Sequence, residues 1–582
     1  MLEKINSPED LKKIPLAKLS TLCDEIRQFL IDVLSQTGGH VAPNLGIVEA
    51  TVALHWVFES PTDKIIFDVS HQSYVHKILT GRKDLIKQLH NTPKINGYTD
   101  FSESEHDFFR MGHTSTSISL ATGLAKARDL QGRNYNVVSL IGDGALSGGE
   151  AFEGFNNGAN LKSNFIVIVN DNEFSIDTNS GGLYANLTHL RQTNGDWSNN
   201  YFKALGYEYF YVAEGNSVTD LVKVFQVVKD SSRPVVVHIH TKKGKGLSFA
   251  ENDTVHWHYK GPFDKNTGQA IFNAKANPNF ASAVKITQGF LDRQLADNKT
   301  AFVIIPGAPN LGDYLKNKYP AQYVDTGIAE EQAVAMMSGA AKVGAKPYLY
   351  VSSPFIQRAY DQIIIDWAVN QTPGVMLVAW AGISGGDYTH VGMYDIAMLA
   401  HIPALTYITP ASDDEYKAML EFSTTFNKPL AIRLGSGNLP RVEAGSNQPI
   451  ELGKWAVTQI GSQVAILGLG EYFIKGQQVA QLLQAKGIIS TVINPRFINI
   501  LDKKLLQKLV QNHKIFITLE NGIVSGGFGQ IVAGYLSSID AKIIVKNYGA
   551  KREFINNELE SDIMNRYHLN PEQIVEDIER LV

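Results

Sequence analysis

The chain of 582 residues contains a single cysteine, Cys23, and no hydrophobic run that approaches the length of a membrane span. One cysteine excludes internal disulfides and a cysteine metal cluster, and it fits a reducing cytosol. The first residues, MLEKINSPEDLKKIPL, lack the apolar core of a signal peptide. These absences predict a cytoplasmic protein with no membrane partner.

The chain also lacks an excess of basic residues. It contains 53 lysines and arginines and 58 aspartates and glutamates, so the net charge is −5. A general nucleic-acid binder would carry a basic excess, so the charge argues against a nucleic-acid partner without excluding local basic pockets. A hydrophobic fraction of 44% and a charged fraction of 19% are typical of a globular enzyme. At this length about three to four domains are expected.

Apolar strand-like runs alternate with helical stretches, and loose segments rich in glycine, asparagine and proline divide them into three blocks. Such alternation is typical of parallel sheets. The pattern predicts an α/β fold of three domains, each with a largely parallel sheet flanked by helices. The predicted boundaries are 1–270 for the first domain, 271–300 for a linker, 301–440 for the second domain and 441–582 for the third.

Two polar triplets follow successive strand-like runs of the first block. They are Gly142-Asp143-Gly144 and Asn170-Asp171-Asn172, with a helical stretch between them. In a parallel sheet both would lie at the carboxyl edge, where ligands bind. Asp143 and Asn172 would offer the oxygen ligands that Mg²⁺ prefers, and the glycines would let the backbone approach a diphosphate. Such turns are common after strands, but two triplets at this spacing favour a metal–diphosphate site.

Other polar residues of the first block lie in turns. His40, His71 and His113, the last followed closely by Ser115, stand in glycine- or serine-bearing turns. Each histidine alone is more typical of a structural role, but three of them before a diphosphate motif are candidate ligands or proton carriers. A lysine-rich loop contains Lys245, which could add charge for phosphate, although a solvated loop is nearly as good an interpretation.

The second block contributes further candidates. Glu330 precedes an apolar helix, where an acid stabilised by the helix dipole is the simplest interpretation of the residue by itself. Phe355 and Arg358 follow a strand-like run, and Asp387 and His390 lie in a later glycine-rich loop. These residues therefore join the candidate site.

Together the pieces resemble the thiamine-diphosphate enzymes of the transketolase superfamily, and within it the 1-deoxy-D-xylulose-5-phosphate synthase family. The resemblance covers nearly the whole chain in the same three-domain order, and it implies a transketolase-like fold. Its strongest stretches are GGHVAPNLG, SHQSYVHKILTGR, MGHTSTSIS, GDGALSGG, NDNEFSI, IAEEQAV and FIQRAYDQ.

The resemblance implies thiamine diphosphate and Mg²⁺ as cofactors. Mg²⁺ would be bound by Asp143, Asn172 and the backbone carbonyl of Phe174. Ile176 would lie under the organic cofactor and hold it bent, while Phe355 would stack on its aminopyrimidine. The remaining cofactor contacts would come from His71, His113, Ser115, Gly144, Ala145, Lys245 and Arg358.

The resemblance also implies acid–base roles. Glu330 would hydrogen-bond the pyrimidine nitrogen and favour the imino tautomer, whose nitrogen takes the proton from the thiazolium C2. His40, His258 and His390, with Asp387 in the same set, would orient and protonate substrate oxygens, help worth roughly 10²–10⁴-fold each. The implied reaction decarboxylates pyruvate and transfers the two-carbon unit to an aldehyde, nominally glyceraldehyde 3-phosphate, for isoprenoid biosynthesis. Family members are homodimers, so a homodimer is expected.

The family's binding site for the acceptor phosphate is altered in this chain. The family uses two arginines and a tyrosine there, and this chain has Trp380, Ser436 and Ser352 at those positions. Arginine–phosphate contacts are among the strongest polar interactions, and these side chains cannot replace them. Arg358 and Arg433 remain as substitute phosphate ligands.

Several alternatives stay open at this point. The stretch 176–207 and the loop from Asp387 to His390 are shorter than in the family, so access to the site is expected to differ. An unphosphorylated aldehyde is nearly as well supported as glyceraldehyde 3-phosphate, and a transketolase comes third. A dehydrogenase-type component serving a lipoyl partner is a further class. A cofactor-binding protein without catalysis is another, although Glu330 argues against it.

Overall fold

The computed structural model of the protein describes residues 1–175, 179–271, 277, 279–307, 311–435, 438–441 and 449–582. The chain divides into two compact units, Met1–Ala274 with Gly327–Ala329, and Lys275–Thr326 with Glu330–Val582. Among the residues in these described ranges, no helix combines the length and the apolar character needed to cross a bilayer.

The first unit is built on five strands. They are β1 Lys64–Phe67, β2 Val137–Gly142, β3 Phe165–Asp171, β4 Glu208–Val212 and β5 Pro234–His240. They form one sheet in the order β1-β2-β3-β5-β4, with every neighbouring pair parallel. Successive residues of β2 belong to different apolar clusters, Val137 to one and Val138 to the other. The strand is therefore buried on both faces, which explains its continuous apolar run.

Twelve α-helices of the first unit cover the two faces of this sheet or connect its strands. They are α1 Pro8–Lys12, α2 Leu19–Thr37, α3 Val41–Gly46, α4 Val48–Val57, α5 Tyr74–Lys77, α6 Lys83–Ile86, α7 Ser117–Leu130, α8 Gly149–Gly158, α9 Gly182–Gln192, α10 Tyr201–Ala204, α11 Val218–Val228 and α12 Ser248–Asn252. That count covers the described residues of the unit. The ends of β2 and β3, which carry the two polar triplets, meet at the carboxyl edge of the sheet.

The second unit contains two larger sheets and a small one. Its strands are β6 Phe280–Ser282, β7 Ala301–Ile305, β8 Tyr323–Asp325, β9 Lys346–Ser352, β10 Val375–Ala379, β11 Thr406–Ile408, β12 Leu430–Arg433, β13 Asn438–Pro440, β14 Ala456–Gln459, β15 Gln463–Gly468, β16 Thr491–Asn494, β17 His513–Ile523 and β18 Ile544–Ala550. One sheet has the order β11-β12-β10-β9-β7-β8 and is parallel throughout. Another has the order β14-β16-β15-β17-β18, and β6 pairs with β13.

The predicted α/β fold with largely parallel sheets is confirmed. Two features were not foreseen: β14 pairs antiparallel with β16, and β6 pairs antiparallel with β13. The segment predicted as a linker, 271–300, contains β6 and the whole of a long helix, Ala283–Asp297. The predicted domain boundaries stay predictions.

The helices of the second unit cover its sheets. They are α13 Ala283–Asp297, α14 Gly312–Lys318, α15 Glu330–Lys342, α16 Ser353–Ile356, α17 Tyr360–Gln362, α18 Asp395–Leu399, α19 Asp413–Thr425, α20 Tyr472–Ala485, α21 Lys503–Val510, α22 Phe528–Ser538, α23 Glu560–Arg566 and α24 Pro571–Glu579. The helix α15 begins at Glu330, so this acid stands in the first turn, where the helix dipole favours a carboxylate.

Candidate active site

The two polar triplets lie side by side in the first unit. Gly142 and Asn170 are register partners at the ends of β2 and β3, and the Asp143 amide donates to the Asn170 carbonyl at 3.0 Å. The Asp143 side chain is only 1% exposed. Burial and the neighbouring Asp171 raise the pKa of Asp143 well above its ordinary value. Burying a carboxylate next to a second carboxylate is unfavourable unless a positively charged group lies beside them.

The donor chemistry of these residues fits a divalent cation. Among the described residues, no group of three histidine, cysteine, aspartate or glutamate side chains is arranged for a metal. A cation at Asp143 would therefore also use amide and backbone oxygens. The predicted ligands Asn172 and Phe174 supply both types from the turn after β3, where the Phe174 amide approaches Asn172 Oδ1 at 3.3 Å. Mg²⁺ prefers such oxygen ligands.

The lysine beside this turn is Lys243, which belongs to the same lysine-rich loop as the predicted contact Lys245. Its Nζ donates to the carbonyl of Ser175, and burial lowers the pKa of Lys243 to about 8 while the charge of Asp143 opposes that shift. The predicted residue Lys245 pairs instead with Glu49, at 2.9 Å. The order of strands brings the whole loop to this place, because β5 lies next to β3 and the Thr241 amide donates to the Asp171 carbonyl at 2.9 Å. Within the loop, Lys243 faces Ser175 and Lys245 faces Glu49.

The turn that carries His113 and Ser115 is fitted to the turn after β2. The Ser115 hydroxyl donates to the carbonyl of Ala145 at 2.7 Å. A Cβ atom on Gly148 would lie 2.2 Å from Ser115 Oγ, so only glycine allows this approach. The structure therefore brings three predicted cofactor contacts together: Ser115, Gly144 and Ala145.

Three of the four predicted histidines of the first unit, His40, His71 and His258, form a cluster. The ring centroid of His40 lies 5.1 Å from that of His71 and 5.6 Å from that of His258, and His71 and His258 are 5.1 Å apart. Burial, together with the charge of Lys243, lowers the pKa of His258 well below its ordinary value. A buried neutral imidazole of this kind can donate or accept a proton without carrying charge in the resting state.

Asn44, which sequence reasoning missed, holds this cluster together. Its Nδ2 donates to the carbonyl of His40 at 2.7 Å and to the carbonyl of His71 at 2.8 Å, and its Oδ1 accepts from the amide of Tyr74 at 2.9 Å. Asn44 is fully buried and lies in α3, the helix that begins directly after His40 in the stretch GGHVAPNLG. One amide side chain therefore fixes the spacing of two histidine-bearing turns.

In the second unit, Glu330 is the strongest candidate. Burial raises the pKa of Glu330 to about 7, although the guanidinium of Arg358, with Nη1 at 3.7 Å from Oε2, opposes the rise. Glu330 Oε2 is buried and has no hydrogen-bond partner among the described residues. A carboxyl group in this state is poised to share a proton with a nitrogen base.

The other predicted residues of the second unit also lie together. The ring of His390 packs edge-on against Phe355 at 5.6 Å between centroids. His390 Nδ1 lies 3.1 Å from Asp387 Oδ2 and 2.8 Å from the Thr389 hydroxyl. Burial alone would raise the pKa of Asp387, but the hydrogen bond with His390 lowers it to about 2. The acid thereby orients the imidazole.

The substitute phosphate ligands predicted for the acceptor differ in their surroundings. Arg433 is buried, with Nε 2.6 Å from Asp395 Oδ2 and Nη2 2.6 Å from the Asn521 carbonyl. It is thus committed to an internal ion pair, whereas Arg358 stays beside Glu330. Trp380 is 47% exposed. Two further predicted positions, Ile176 and Ser436, lie outside the described residues.

Models of known protein families match the chain in three consecutive parts. The model described as 1-deoxy-D-xylulose-5-phosphate synthase matches residues 2–197. The transketolase pyrimidine-binding domain matches 290–442, and the transketolase C-terminal domain matches 453–574.

Curated relatives match over the full length. A 1-deoxy-D-xylulose-5-phosphate synthase of Francisella tularensis subsp. holarctica is 37% identical, with 100% of this chain and 99% of the relative covered. A protein of the same name from Carboxydothermus hydrogenoformans is 38% identical, with 99% and 98% covered. Among solved structures, the transketolase of Campylobacter jejuni is 16% identical with a TM-score of 0.45, covering 97% of this chain and 100% of that one.

Proposed function

The chain belongs to the 1-deoxy-D-xylulose-5-phosphate synthase family, and we propose on this basis that it is a thiamine-diphosphate-dependent transferase. It would decarboxylate pyruvate and join the two-carbon unit to glyceraldehyde 3-phosphate, giving 1-deoxy-D-xylulose 5-phosphate. That product would serve isoprenoid biosynthesis.

The observation that carries the proposal is the state of Glu330. Its Oε2 is buried without a hydrogen-bond partner among the described residues, and burial raises the pKa of Glu330 to about 7. Leaving a buried polar atom unpaired costs about 1–3 kcal/mol, so a ligand that pairs with it gains that amount back. A ring nitrogen of an aminopyrimidine is such a ligand. The residues present therefore fit thiamine diphosphate.

Within the first unit, residues are suited to hold the charged end of the cofactor and its cation. Asp143, Asn172 and the carbonyl of Phe174 would bind Mg²⁺, and Lys243 would add positive charge beside them. The glycines at 144 and 148 leave room for the tight packing of Ser175 and Ser115. When bound, the cofactor supplies an electron sink for decarboxylation.

The histidines would act as the proton donors and acceptors for the substrate. His40, His71 and His258 share one cluster, and burial keeps His258 neutral, so these rings can donate to or accept from substrate oxygens. In the second unit, Asp387 orients His390 through Nδ1, and this ring would exchange a proton with substrate. Glu330 would hold the proton shared with the pyrimidine nitrogen.

Release of CO₂ from pyruvate tests the function and the acceptor together. With thiamine diphosphate and Mg²⁺, we expect glyceraldehyde 3-phosphate to accelerate CO₂ release more than unphosphorylated glyceraldehyde does. Glu330→Gln should lower the rate at least about 100-fold, because the neutral amide cannot exchange the proton. The neighbouring Glu331→Gln is the matched control and should retain most of the rate.

Each other outcome corrects one part of the proposal. Full activity of Glu330→Gln would contradict the role of this acid. Stimulation by unphosphorylated aldehydes alone would show that Trp380 and the ion pair of Arg433 with Asp395 mark a changed acceptor site. Absence of CO₂ release with every acceptor would exclude pyruvate as donor and point to ketose donors.

We also propose Mg²⁺ as the cation, a homodimer as the assembly and the cytoplasm as the location. The oxygen-rich ligand set at Asp143 supports the first of these. The homodimer rests on the family resemblance, and sedimentation equilibrium of the purified protein would test it. The cytoplasmic location rests on the composition of the sequence and stays a prediction.

A further inference from the structure

The chain that follows β3 returns to the ends of β2 and β3 and touches both polar triplets. Asn179 Nδ2 donates to Asp143 Oδ2 at 2.9 Å. The hydroxyl of Tyr184, in the first turn of α9, donates to the carbonyls of Asp143 at 3.2 Å and of Gly144 at 3.3 Å. The side chain and the backbone of Asp143 are therefore both held from this segment.

The last turn of α9 holds the second triplet in the same way. Arg191 Nη1 lies 2.6 Å from Asp171 Oδ2, and Nη2 lies 3.2 Å from Glu173 Oε2. Asp171 also bonds His238 at 2.9 Å, and the hydroxyl of Tyr209 bonds the other ring nitrogen of His238 at 2.8 Å. The turn after β3 is thus fixed by a chain of buried polar groups that ends on α9.

These polar contacts are not needed to attach α9 to the fold. Leu187 and Leu190 of α9 are fully buried in the apolar cluster on one face of the first sheet. Burial of two leucines already anchors the helix, at roughly 1.5–3 kcal/mol for each side chain. Polar residues before α9 and in its first and last turns contact the strand-end turns instead, where a cation would lie.

We propose that Asn179, Tyr184 and Arg191 form a clamp that positions the divalent-cation site and sets its affinity. This inference rests on the proposed function, which places the cation at Asp143 and Asn172. Asp143 and Asp171 are neighbouring buried carboxylates that repel each other. Asn179, which precedes α9, holds the side chain of Asp143, and Arg191, in the last turn of α9, holds that of Asp171. Groups that hydrogen-bond metal-binding carboxylates typically change metal affinity about 10- to 100-fold when removed.

The direct test is the affinity for Mn²⁺ and Mg²⁺ in the presence of thiamine diphosphate, by electron paramagnetic resonance and calorimetry. Asn179→Ala and Tyr184→Phe should each weaken cation binding about 10- to 100-fold. Their kcat should recover at saturating Mg²⁺, because the clamp positions the site without touching substrate. The matched control is His189→Ala, which removes the stacking of an exposed α9 side chain on Trp197 but touches neither triplet. Its cation affinity should stay at the wild-type value.

A second variant separates positioning of the cation from general support of the fold. Asn179→Asp places another carboxylate against Asp143, so the protein without cation should melt at a lower temperature than wild type. A bound cation relieves that repulsion, so Mg²⁺ should raise the melting temperature of this variant more than that of wild type. Equal shifts on adding Mg²⁺ would overturn the clamp.

The remaining outcomes are also decisive. Wild-type affinity in folded Asn179→Ala and Tyr184→Phe would overturn the clamp while leaving the proposed function intact. Equal weakening in His189→Ala would show that α9 acts only through its packing. No binding of a divalent cation by wild type would remove the cation site itself, and the clamp with it.

Discussion

At the scale of single residues, Glu330 has a folding cost that depends on pH. Its ordinary pKa is 4.5, and burial raises the pKa to about 7 in the folded protein. Between these two values the folded state binds the proton and the unfolded state releases it. The free energy of unfolding is therefore highest, as far as Glu330 is concerned, below about pH 4.5. It falls by about 3 kcal/mol in all as the pH rises through about 7.

Glu330→Gln removes this pH-dependent cost. In protein without cofactor, the variant should match wild type near pH 4.5 and become more stable by about 3 kcal/mol above pH 8. Urea unfolding at several pH values measures the difference, and Glu331→Gln is the control that should follow wild type. Parallel curves for wild type and Glu330→Gln would show that Glu330 titrates normally in the folded state.

At the scale of secondary-structure elements, the carboxylate of Asp68 connects the end of β1 to the start of α7. Asp68 Oδ1 accepts from the Ser115 amide at 2.8 Å, and Oδ2 accepts from the Ser117 amide at 3.0 Å. The bond to Ser117 satisfies one of the amide groups that a helix leaves unpaired at its N-terminus, and the bond to Ser115 fixes the turn before it. They also hold Ser115, which bonds the carbonyl of Ala145.

Asp68→Asn should disturb both the helix and the candidate cofactor site. One of the two hydrogen bonds from the backbone amides is lost, because the new NH₂ group faces a backbone N–H. The free energy of unfolding should fall by about 1–2 kcal/mol. Cofactor affinity should fall as well, because the Ser115 turn loses its support. Ser217→Ala, which removes the cap of α11, is the control. It should lower stability in urea without changing the cofactor titration, and equal cofactor affinity in both variants would contradict the role of Asp68.

At the scale of the whole molecule, the two larger sheets of the second unit are joined by a buried ion pair. Arg496, which follows β16, places Nε 2.6 Å from Oε1 of Glu415 in α19. Asn494 donates to the same carboxylate at 3.0 Å, and the backbones meet where Thr409 donates to the Arg496 carbonyl at 2.9 Å. Both charged side chains are almost completely buried.

Breaking this pair should affect both sheets at once. Arg496→Met leaves a buried carboxylate unpaired and should cost about 3–5 kcal/mol. The double variant Glu415→Gln with Arg496→Met should recover part of that loss, because no buried charge remains. Arg293→Met, from an exposed pair with Glu421, should cost less than about 1 kcal/mol. Hydrogen exchange would show whether the β10 and β15 regions lose protection together, and loss in one sheet alone would contradict the coupling.

Much of the architecture could be read from local sequence. Continuous apolar runs predicted buried parallel strands, because a strand covered on both faces has no polar side. Polar residues directly after such runs predicted the carboxyl edge, and Asp143 and Asn170 do meet there. The family resemblance, carried by short motifs in a constant order, is confirmed by relatives over the full length.

Tertiary structure decided what depends on pairing between distant segments. The order of strands places β5 beside β3 and brings the lysine-rich loop to the end of β3, and within that loop Lys243 faces Ser175 whereas Lys245 pairs with Glu49. Arg433 is an internal partner of Asp395 because the two lie on neighbouring elements, although they are far apart in sequence. Asn44 joins two histidine turns through backbone carbonyls, which no side-chain pattern reveals. The sequence by itself determined which polar and charged side chains are present and which of them follow a strand at the carboxyl edge of a sheet. Packing between distant segments determined which of these side chains meet and which ion pairs they form.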